Sequence, residues 1–467
     1  MMQPQIFKAN DIRGVVGDAD DPSAEWDVDG ARLLGACWVD TLDLTAEPGA
    51  LVLGRDMRIS SPELSAAFAA GVVSRGVDVI DIGLASTDQL WFASGRLNLP
   101  GVMFTASHNP GRYNGIKFCY AQARPVTSAV LTELSDRALH PGPEPTVPAS
   151  GTITHSDLLP AYAEHLLSLV DLSALSDLSA RPGGRRLRVV ADAGNGMAGH
   201  TLPSVLGQLD LDLIGLFTEL DGTFPHHPPN PLEPANLVDA QRAVVEHSAD
   251  LGLVFDGDAD RCFIIDETGT VVSPSAVTAL IATSELLREP GATIVRNLIT
   301  SRAVTEIVTE RGGTIVTTRV GHTFVKAAMA ETGAIFGGEH SAHYYFRDFW
   351  GADTGMLAAL HVLAAAARST VPVSQLVAEF TRYSASGELN STVTDASAAM
   401  RLVAETFADR GTADWTDGLT VSAADWWLNL RASNTEPLLR LNVEAVRESL
   451  MAQIRDEVLD LVRPPPA

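Results

Sequence analysis

Leu51-Val52-Leu53-Gly54-Arg55-Asp56-Met57-Arg58, continuing through Ser60, Pro62 and Glu63 to Leu64-Ser65-Ala66-Ala67-Phe68-Ala69-Ala70, then Gly76 and Val77-Asp78-Val79-Ile80, decides the fold class. Leu51 to Leu53 is a short apolar run bounded by turn residues and reads as a buried strand. Ser60 with Glu63 three residues on has the spacing of a capping box, and Pro62 lies just inside the helix it starts. The helix stops near Gly76, and Val77 to Ile80 resumes as strand. Strand, helix and strand in that order form a βαβ unit, which implies a parallel sheet.

The chain has 467 residues, too many for one hydrophobic core, so several domains are expected. No apolar run reaches the roughly 18 residues of a membrane span, and Met1-Met2-Gln3-Pro4-Gln5 lacks the basic and apolar regions of a signal peptide. The expected location is the cytoplasm, without a membrane partner. Three cysteines, Cys37, Cys119 and Cys262, stand far apart, which argues against a disulfide framework and a thiolate metal site. The formal net charge of −25 argues against a nucleic-acid partner. If the substrate is itself an anion, the scarce basic residues must gather where it binds.

The next strand, Gly101-Val102-Met103-Phe104, runs into Thr105-Ala106-Ser107-His108-Asn109-Pro110 and on through Asn114-Gly115 to Lys117. Strand ends are where α/β proteins place chemistry. Asn-Pro and Asn-Gly also punctuate ordinary polar turns, and the stretch alone favours that blander reading. His108 follows Ser107 directly, and successive side chains on an extended segment diverge, so a Ser-His hydrolase pair is not expected. The earlier Asn10-Asp11-Ile12-Arg13-Gly14 offers an arginine before a glycine turn, by itself a solvated loop charge. Proline density from His140 to Pro148 marks a linker.

A helix over 156–170 and a break at Arg181-Pro182-Gly183-Gly184 precede a second α/β unit, which opens with Leu187 to Ala191 and the turn Asp192-Ala193-Gly194-Asn195-Gly196. His226 and His227, in a proline-rich stretch, read as surface loop rather than metal ligands, because no further ligand lies at a helical or strand offset. The strand Leu251 to Phe255 leads into Asp256-Gly257-Asp258-Ala259-Asp260-Arg261. Three carboxylates at every second position fall on one side of an extended segment and repel one another unless a cation is present. Glu267 stands where an EF-hand has its closing glutamate, but Arg261 occupies the glycine position of such a loop and both flanks read as strands. A divalent cation with few protein ligands and room for a phosphate oxygen suits magnesium better than calcium.

A third α/β unit carries helices over 274–287 and 301–311, strands through Arg296 and over 314–318, and the segment Arg319-Val320-Gly321-His322 before Lys326. Its last strand ends in Gly337-Gly338-Glu339-His340-Ser341-Ala342-His343, either plain loop polarity or a set of groups suited to sugar hydroxyls. From about residue 370 the pattern becomes α+β with an antiparallel sheet. Its turn, Arg431-Ala432-Ser433-Asn434-Thr435, together with Arg440, can clasp a phosphate. No GxxxxGK[ST] occurs, so a P-loop is not expected.

Taken in order, these four strand-end loops resemble the α-D-phosphohexomutase superfamily, most closely its phosphomannomutases and phosphomannomutase/phosphoglucomutases. The resemblance spans nearly the whole chain. It implies three similar mixed-sheet α/β domains and a C-terminal α+β domain arranged around a central cleft, with divisions at 1–152, 153–257, 258–369 and 370–467. It also implies a mutase interconverting mannose 6-phosphate and mannose 1-phosphate, a GDP-mannose precursor, through a phosphoserine and a hexose 1,6-bisphosphate. Alternatives are a preference for glucose or glucosamine phosphates, or a metal-dependent sugar phosphatase.

By the same resemblance Ser107 matches the phosphorylated serine. Asp256, Asp258 and Asp260 match Mg²⁺ ligands, with an oxygen on Ser107 as a further ligand. Arg13, Lys117, Arg261 and His343 match residues near the reacting groups, with Lys117 and His343 the candidate proton acceptors and His108 adjacent. Glu339 and Ser341 match sugar-binding residues, Arg431, Ser433, Asn434 and Thr435 the phosphate loop with Arg440 beside it, and Arg296, His322 and Lys326 further substrate-facing positions. The implied cofactors are Mg²⁺ and a glucose or mannose 1,6-bisphosphate activator, and the implied assembly is a monomer or homodimer. Asn10 departs from the family, where a tyrosine is common.

Overall fold

The computed structural model describes residues 2–18, 20–45, 49–142, 150–177, 184–432 and 438–463. Most of the 140–148 linker and residues 181–183 of the expected break lie outside them. The chain forms two compact units, Met1–Val272 with Ser341–Leu376, and Ser273–His340 with Val377–Ala467.

In the first unit the opening βαβ reading holds. Strand Ala50–Arg55 lies parallel to Asp78–Leu84, with Leu51 opposite Val79, and helix Ser61–Val73 connects them. Gly101–Phe104 adds in parallel on the other side of Ala50–Arg55. Tyr113–Tyr120 pairs antiparallel with Gly101–Phe104 and with Ile12–Val15, making the sheet mixed and setting Arg13 opposite Gly115. Helices Val28–Leu42 and Ser61–Val73 pack backbone to backbone. A Cβ on Gly71 would lie 2.0 Å from the Arg32 carbonyl oxygen, so only glycine permits that approach. Phe68, Phe104, Trp38 and Phe118 fill the core beneath.

The capping box does not form. Ser60 is itself helical (φ −81°, ψ −14°) and caps nothing. Its Oγ accepts instead from Asn114 Nδ2 at 2.9 Å, while Ser61 Oγ donates to Asp56 Oδ1 at 2.6 Å, so both hydroxyls brace the loop ahead of the helix.

The second sheet runs Val271–Val272, Cys262–Asp266, Leu251–Phe255, Leu187–Asp192, Leu211–Leu216. Leu251–Phe255 is parallel to Leu187–Asp192 and antiparallel to Cys262–Asp266. The sheet therefore continues past residue 257, where the sequence suggests a division, because the aspartates cap a hairpin whose second strand stays in the same sheet. Strand Ile153–His155 likewise pairs with Asp78–Leu84 in the first sheet. A hairpin, Tyr344–Phe346 with Ala352–Asp353, and helix Gly355–Arg368 complete the first unit.

In the second unit Thr293–Asn297 lies parallel to Thr314–Thr318 and to Phe336–Gly338, flanked by helices Pro274–Arg288, Arg302–Glu310 and His322–Thr332. The C-terminal part is an antiparallel sheet in the order Ser384–Thr392, Leu438–Ala445, Trp426–Ala432, Leu419–Ser422, Thr412–Asp414. Phe407, Leu428, Leu441, Ile454 and Val458 form its core under helices Ala396–Thr406 and Glu448–Val462. The fold is thus three α/β parts with mixed sheets and a C-terminal antiparallel one. No helix among the described residues is long and apolar enough to cross a membrane.

Candidate active site

Strand Gly101–Phe104 delivers Ser107 in the left-handed region (φ 50°), with its N–H donated to Thr105 Oγ1 at 2.9 Å. Ser107 Oγ donates to Asp256 Oδ2 at 3.1 Å, 149 residues away in sequence. His108 Nδ1 is also near Ser107 Oγ, at 3.3 Å. The expectation that the two side chains diverge fails, because it holds for extended backbone and Ser107 is not extended. A hydrolase pair still does not result. Arg261 Nη2 donates to His108 Nδ1 at 2.9 Å, so that lone pair is taken. Burial, then the positive charge of Arg261, holds the imidazole well below its ordinary pKa.

The serine loop is wrapped around Arg58, whose side chain is fully buried. Its Nη2 donates to the carbonyls of Ser107 (2.8 Å) and Asn109 (2.7 Å), and its Nη1 to those of Pro110 (2.8 Å) and Tyr113 (2.9 Å). Nε donates to Asp56 Oδ2 at 3.0 Å, so all five N–H groups are used. Arg13, by contrast, reaches the loop from outside, donating to Asn109 Oδ1 at 2.8 Å. Asn10 is exposed.

Asp256, Asp258 and Asp260 are buried to within 1% of full, and one carboxylate oxygen from each lies within 4.8 Å of the others. They do not converge by alternation along an extended segment. The chain turns, with Ala259 left-handed (φ 61°), and the hairpin tip gathers them. Glu267 takes no part; it accepts from Ser374 N at 3.0 Å, which removes the EF-hand reading.

Two cations answer the three carboxylates. Arg261 Nε donates to Asp256 Oδ2 (2.9 Å), and Lys117 Nζ to Asp258 Oδ2 (2.7 Å) and Asp260 Oδ2 (2.6 Å). Burial alone would lower the Lys117 pKa, but Asp258 and Asp260 outweigh it and hold the ammonium well above its ordinary value. Burial raises the Asp256 pKa despite Arg261, whereas Lys117 overcomes burial at Asp258 and lowers it. One negative charge remains uncompensated by these two cations. Asp258 Oδ1 and Asp260 Oδ1 are buried without a hydrogen bond. Buried, unbonded carboxylate oxygens are costly, and an all-oxygen set of this kind fits a hard divalent cation. Thr87, at the start of helix Thr87–Leu97, holds the turn through Oγ1 to Asp258 Oδ2 (2.6 Å) and N to the Asp258 carbonyl (3.0 Å).

His343 bridges by its backbone to Arg261, and its Nε2 lies 3.8 Å from Asp260 Oδ1. Its Nδ1 shares a 2.8 Å hydrogen bond with Ser341 Oγ. His343, Asp260 and Asp353 form a second convergent set of possible ligands. His226 and His227 correct the surface-loop expectation in part. His227 is buried against Asp192 (3.2 Å), and His226 stacks on Phe217 and bonds Asn195 Oδ1 at 2.7 Å, so both are structural.

In the second unit Glu339 is buried, with Oε1 accepting from Asn297 Nδ2 (2.9 Å) and Gly321 N (3.2 Å). His322 opens the helix that carries Lys326. Arg296 turns onto its own loop, donating to the carbonyls of Thr300 (2.7 Å) and Asn297 (3.1 Å), and burial lowers its pKa to about 10. Arg431 Nη2 and Arg440 Nη1 each donate to Glu388 at 2.8 Å, so one carboxylate holds both guanidiniums. Ser433, Asn434 and Thr435 lie outside the described residues.

Arg58, Asp56, Thr87 and Glu388 went unassigned from sequence. The turn Gly54-Arg55-Asp56-Met57-Arg58 was visible as a strand-end loop, but which carbonyls an arginine would gather depends on a loop about 50 residues later. Ser86-Thr87-Asp88 carries a helix-start pattern, which signals the helix and not its grip on Asp258.

Models of the phosphoglucomutase/phosphomannomutase family match the chain in order: α/β/α domain I over residues 4–141, domain II over 160–269, domain III over 273–383 and the C-terminal domain over 388–461. The chain belongs to this family, within the α-D-phosphohexomutase superfamily. Phosphohexose mutases of Xanthomonas campestris pv. campestris are 39% identical over 98% of this chain and 99% of their own length. The phosphomannomutase of Salmonella typhimurium is 37% identical over 98% of this chain and 99% of its own. A phosphoglucomutase/phosphomannomutase family protein from Burkholderia thailandensis has a crystal structure that superposes with a TM-score of 0.87 at 31% identity, covering 100% of this chain and 99% of that one.

Proposed function

We propose that the protein is a phosphomannomutase that interconverts mannose 6-phosphate and mannose 1-phosphate and also accepts glucose phosphates. The observation that carries this is Ser107 Oγ, 3.1 Å from Asp256 in a buried three-carboxylate turn that needs a cation. The names of the full-length relatives, phosphomannomutase and phosphomannomutase/phosphoglucomutase, support the substrate class.

Asp256, Asp258 and Asp260, with an oxygen on phospho-Ser107, would hold Mg²⁺, which when bound neutralises charge on the transferring phosphoryl group. Arg261 and Lys117 offset the carboxylates so that an anionic sugar phosphate can approach. Lys117 is committed as an ammonium to two carboxylates, so His343 takes the proton of the sugar hydroxyl. The Ser107 O–P bond breaks as the sugar O–P bond forms, and the proton removed from the sugar hydroxyl is passed on to the departing Ser107 oxygen, giving a hexose 1,6-bisphosphate and a Ser107 hydroxyl. The bisphosphate then turns round and its other phosphoryl group returns to Ser107, with the proton going back to the sugar oxygen. A hexose 1,6-bisphosphate added from outside primes unphosphorylated enzyme by the same return step.

Glu339 and Ser341 hold sugar hydroxyls, with His322 and Lys326 also facing the substrate. Arg431, Ser433, Asn434 and Thr435, with Arg440, hold the distal phosphate. Arg296 is given a weaker part, since its hydrogen bonds go to its own loop. The test is incubation with mannose 1-phosphate, Mg²⁺ and glucose 1,6-bisphosphate, following mannose 6-phosphate. Isomerisation is expected, with an added phosphate in the intact mass. Absence of isomerisation, or steady release of inorganic phosphate in its place, refutes the reading.

A further inference from the structure

We infer that Arg58 is the positioning residue of the phosphoryl-carrying serine, a role that rests on the function proposed above. Arg58 touches neither the Ser107 hydroxyl nor a carboxylate of the acidic turn. Its two terminal nitrogens collect the carbonyl oxygens of residues 107, 109, 110 and 113, so the loop closes as a ring around one guanidinium.

That ring has a consequence for Ser107. A non-glycine residue at φ 50° costs free energy relative to the ordinary regions and persists only where its surroundings over-determine it. The Ser107 carbonyl is over-determined. Arg58 Nη2 holds it at 2.8 Å, and Gly257 packs so closely on the same oxygen that a Cβ there would lie 2.5 Å away. With the carbonyl fixed from both sides and the N–H fixed on Thr105, only the side-chain torsion remains free, and Oγ lands on Asp256.

Arg58 is fixed in turn. Asp56 accepts from both its Nε and its backbone N–H (3.0 Å each), and the Phe224 ring lies 5.2 Å from its guanidinium carbon. Asp56 is fully buried and takes a further 2.6 Å bond from Ser61 Oγ. A lysine at 58 would carry the same charge with at most three donors and no planar fork, so it cannot reproduce four carbonyl bonds and the Asp56 bond together.

The test is Arg58→Lys, with the wild type in parallel. The variant is expected to keep its KM for mannose 1-phosphate within about twofold, while kcat and the rate at which glucose 1,6-bisphosphate phosphorylates Ser107 each fall about a hundredfold, the loss that roughly 1 Å of misplacement brings. A merely structural arginine would lower thermal stability without this split. A folded Arg58→Lys enzyme with kcat within threefold of wild type overturns the inference, as does a variant that loses KM and kcat together. If Arg58→Lys does not fold, Asp56→Asn carries the test. It leaves the four carbonyl bonds but loosens their anchor, and about tenfold lower kcat at unchanged KM is expected, unchanged kcat overturning the role. A wild type without isomerase activity or phosphoserine overturns both this inference and the function on which it rests. An active wild type with an unimpaired variant overturns this inference alone.

Discussion

Replacing Thr87 by valine removes one hydroxyl, 2.6 Å from Asp258 Oδ2, and leaves shape and backbone almost untouched. The Thr87 N–H can still donate to the Asp258 carbonyl, so the turn keeps its main-chain anchor. Both side chains are fully buried, and the lost bond is one to an ionised carboxylate, worth about 1.5–3 kcal/mol. Lys117 still holds the same oxygen at 2.7 Å, which places the stability loss toward the lower figure. The larger effect is on the cation. With its second donor gone, the Asp258 carboxylate can swing about Lys117 and no longer holds its unbonded Oδ1 in one place. Loss of such a supporting bond typically weakens metal binding about 10–100-fold. Titrating Mg²⁺ while following thermal stability, and separately initial rate, gives two independent readings. Half-saturation should move up by at least about tenfold in both, with saturating Mg²⁺ restoring most of the rate. An unchanged Mg²⁺ titration in both readings would refute the assignment of Asp258 Oδ1 to a cation and of Thr87 to its support.

Three further expectations are independent of that one. Ser107→Ala should lower kcat on the order of 10³-fold or more and leave no added phosphate in the intact mass, full activity being incompatible with the phosphoserine. Gly71→Ala puts a Cβ 2.0 Å from the Arg32 carbonyl oxygen and should destabilise the protein by about 3 kcal/mol in urea unfolding; a loss below about 0.5 kcal/mol would contradict the packing of the two helices. Asp88 is fully buried, which raises its pKa from 3.8 to about 6 in spite of bonds from Ser86, Thr354 and Tyr162. The folded state therefore binds this proton more tightly than the unfolded one. Its contribution to stability is fully present below about pH 4 and is lost as pH rises through 6, on the order of 3 kcal/mol in all. Asp88→Asn should flatten urea-unfolding stability between pH 4 and 6, and an unaltered slope would show that Asp88 does not titrate there.

The fold was legible where a local pattern is also a physical cause. Leu51 to Ile80 announced a βαβ unit because an apolar run, a proline near a helix start and a glycine stop each act within a few residues. What local pattern could not reach were relations set by distant chain. Ser60 had the spacing of a cap, yet Asn114, 54 residues on, claims its hydroxyl. Ser107 and His108 were expected to diverge because left-handed backbone at a serine cannot be read from its neighbours. The aspartates were grouped correctly for a reason that does not apply, since a hairpin tip gathers them and alternation does not. The candidate site residues were readable as polar groups at strand ends, and the residues that hold them still were not.

This difference bears on how a chain with a formal charge of −25 handles an anionic substrate. Four basic residues serve the serine loop and the acidic turn, and they divide into three jobs. Arg261 and Lys117 answer the acidic turn, and Arg13 reaches the loop from its outer side. Arg58 spends its charge on neutral carbonyls and on Asp56, contributing rigidity to the loop and little attraction to a phosphate. Substituting Lys117 or Arg261 should therefore change how binding depends on ionic strength, because those charges answer the carboxylates of the turn at which the proposed transfer takes place. Substituting Arg58 should leave that dependence alone and appear in the chemical step. The two kinds of cation are distinguished by what the terminal nitrogens meet, the carboxylates of the acidic turn for Lys117 and Arg261 and four main-chain carbonyls for Arg58, whose one carboxylate bond, to Asp56, stays outside that turn.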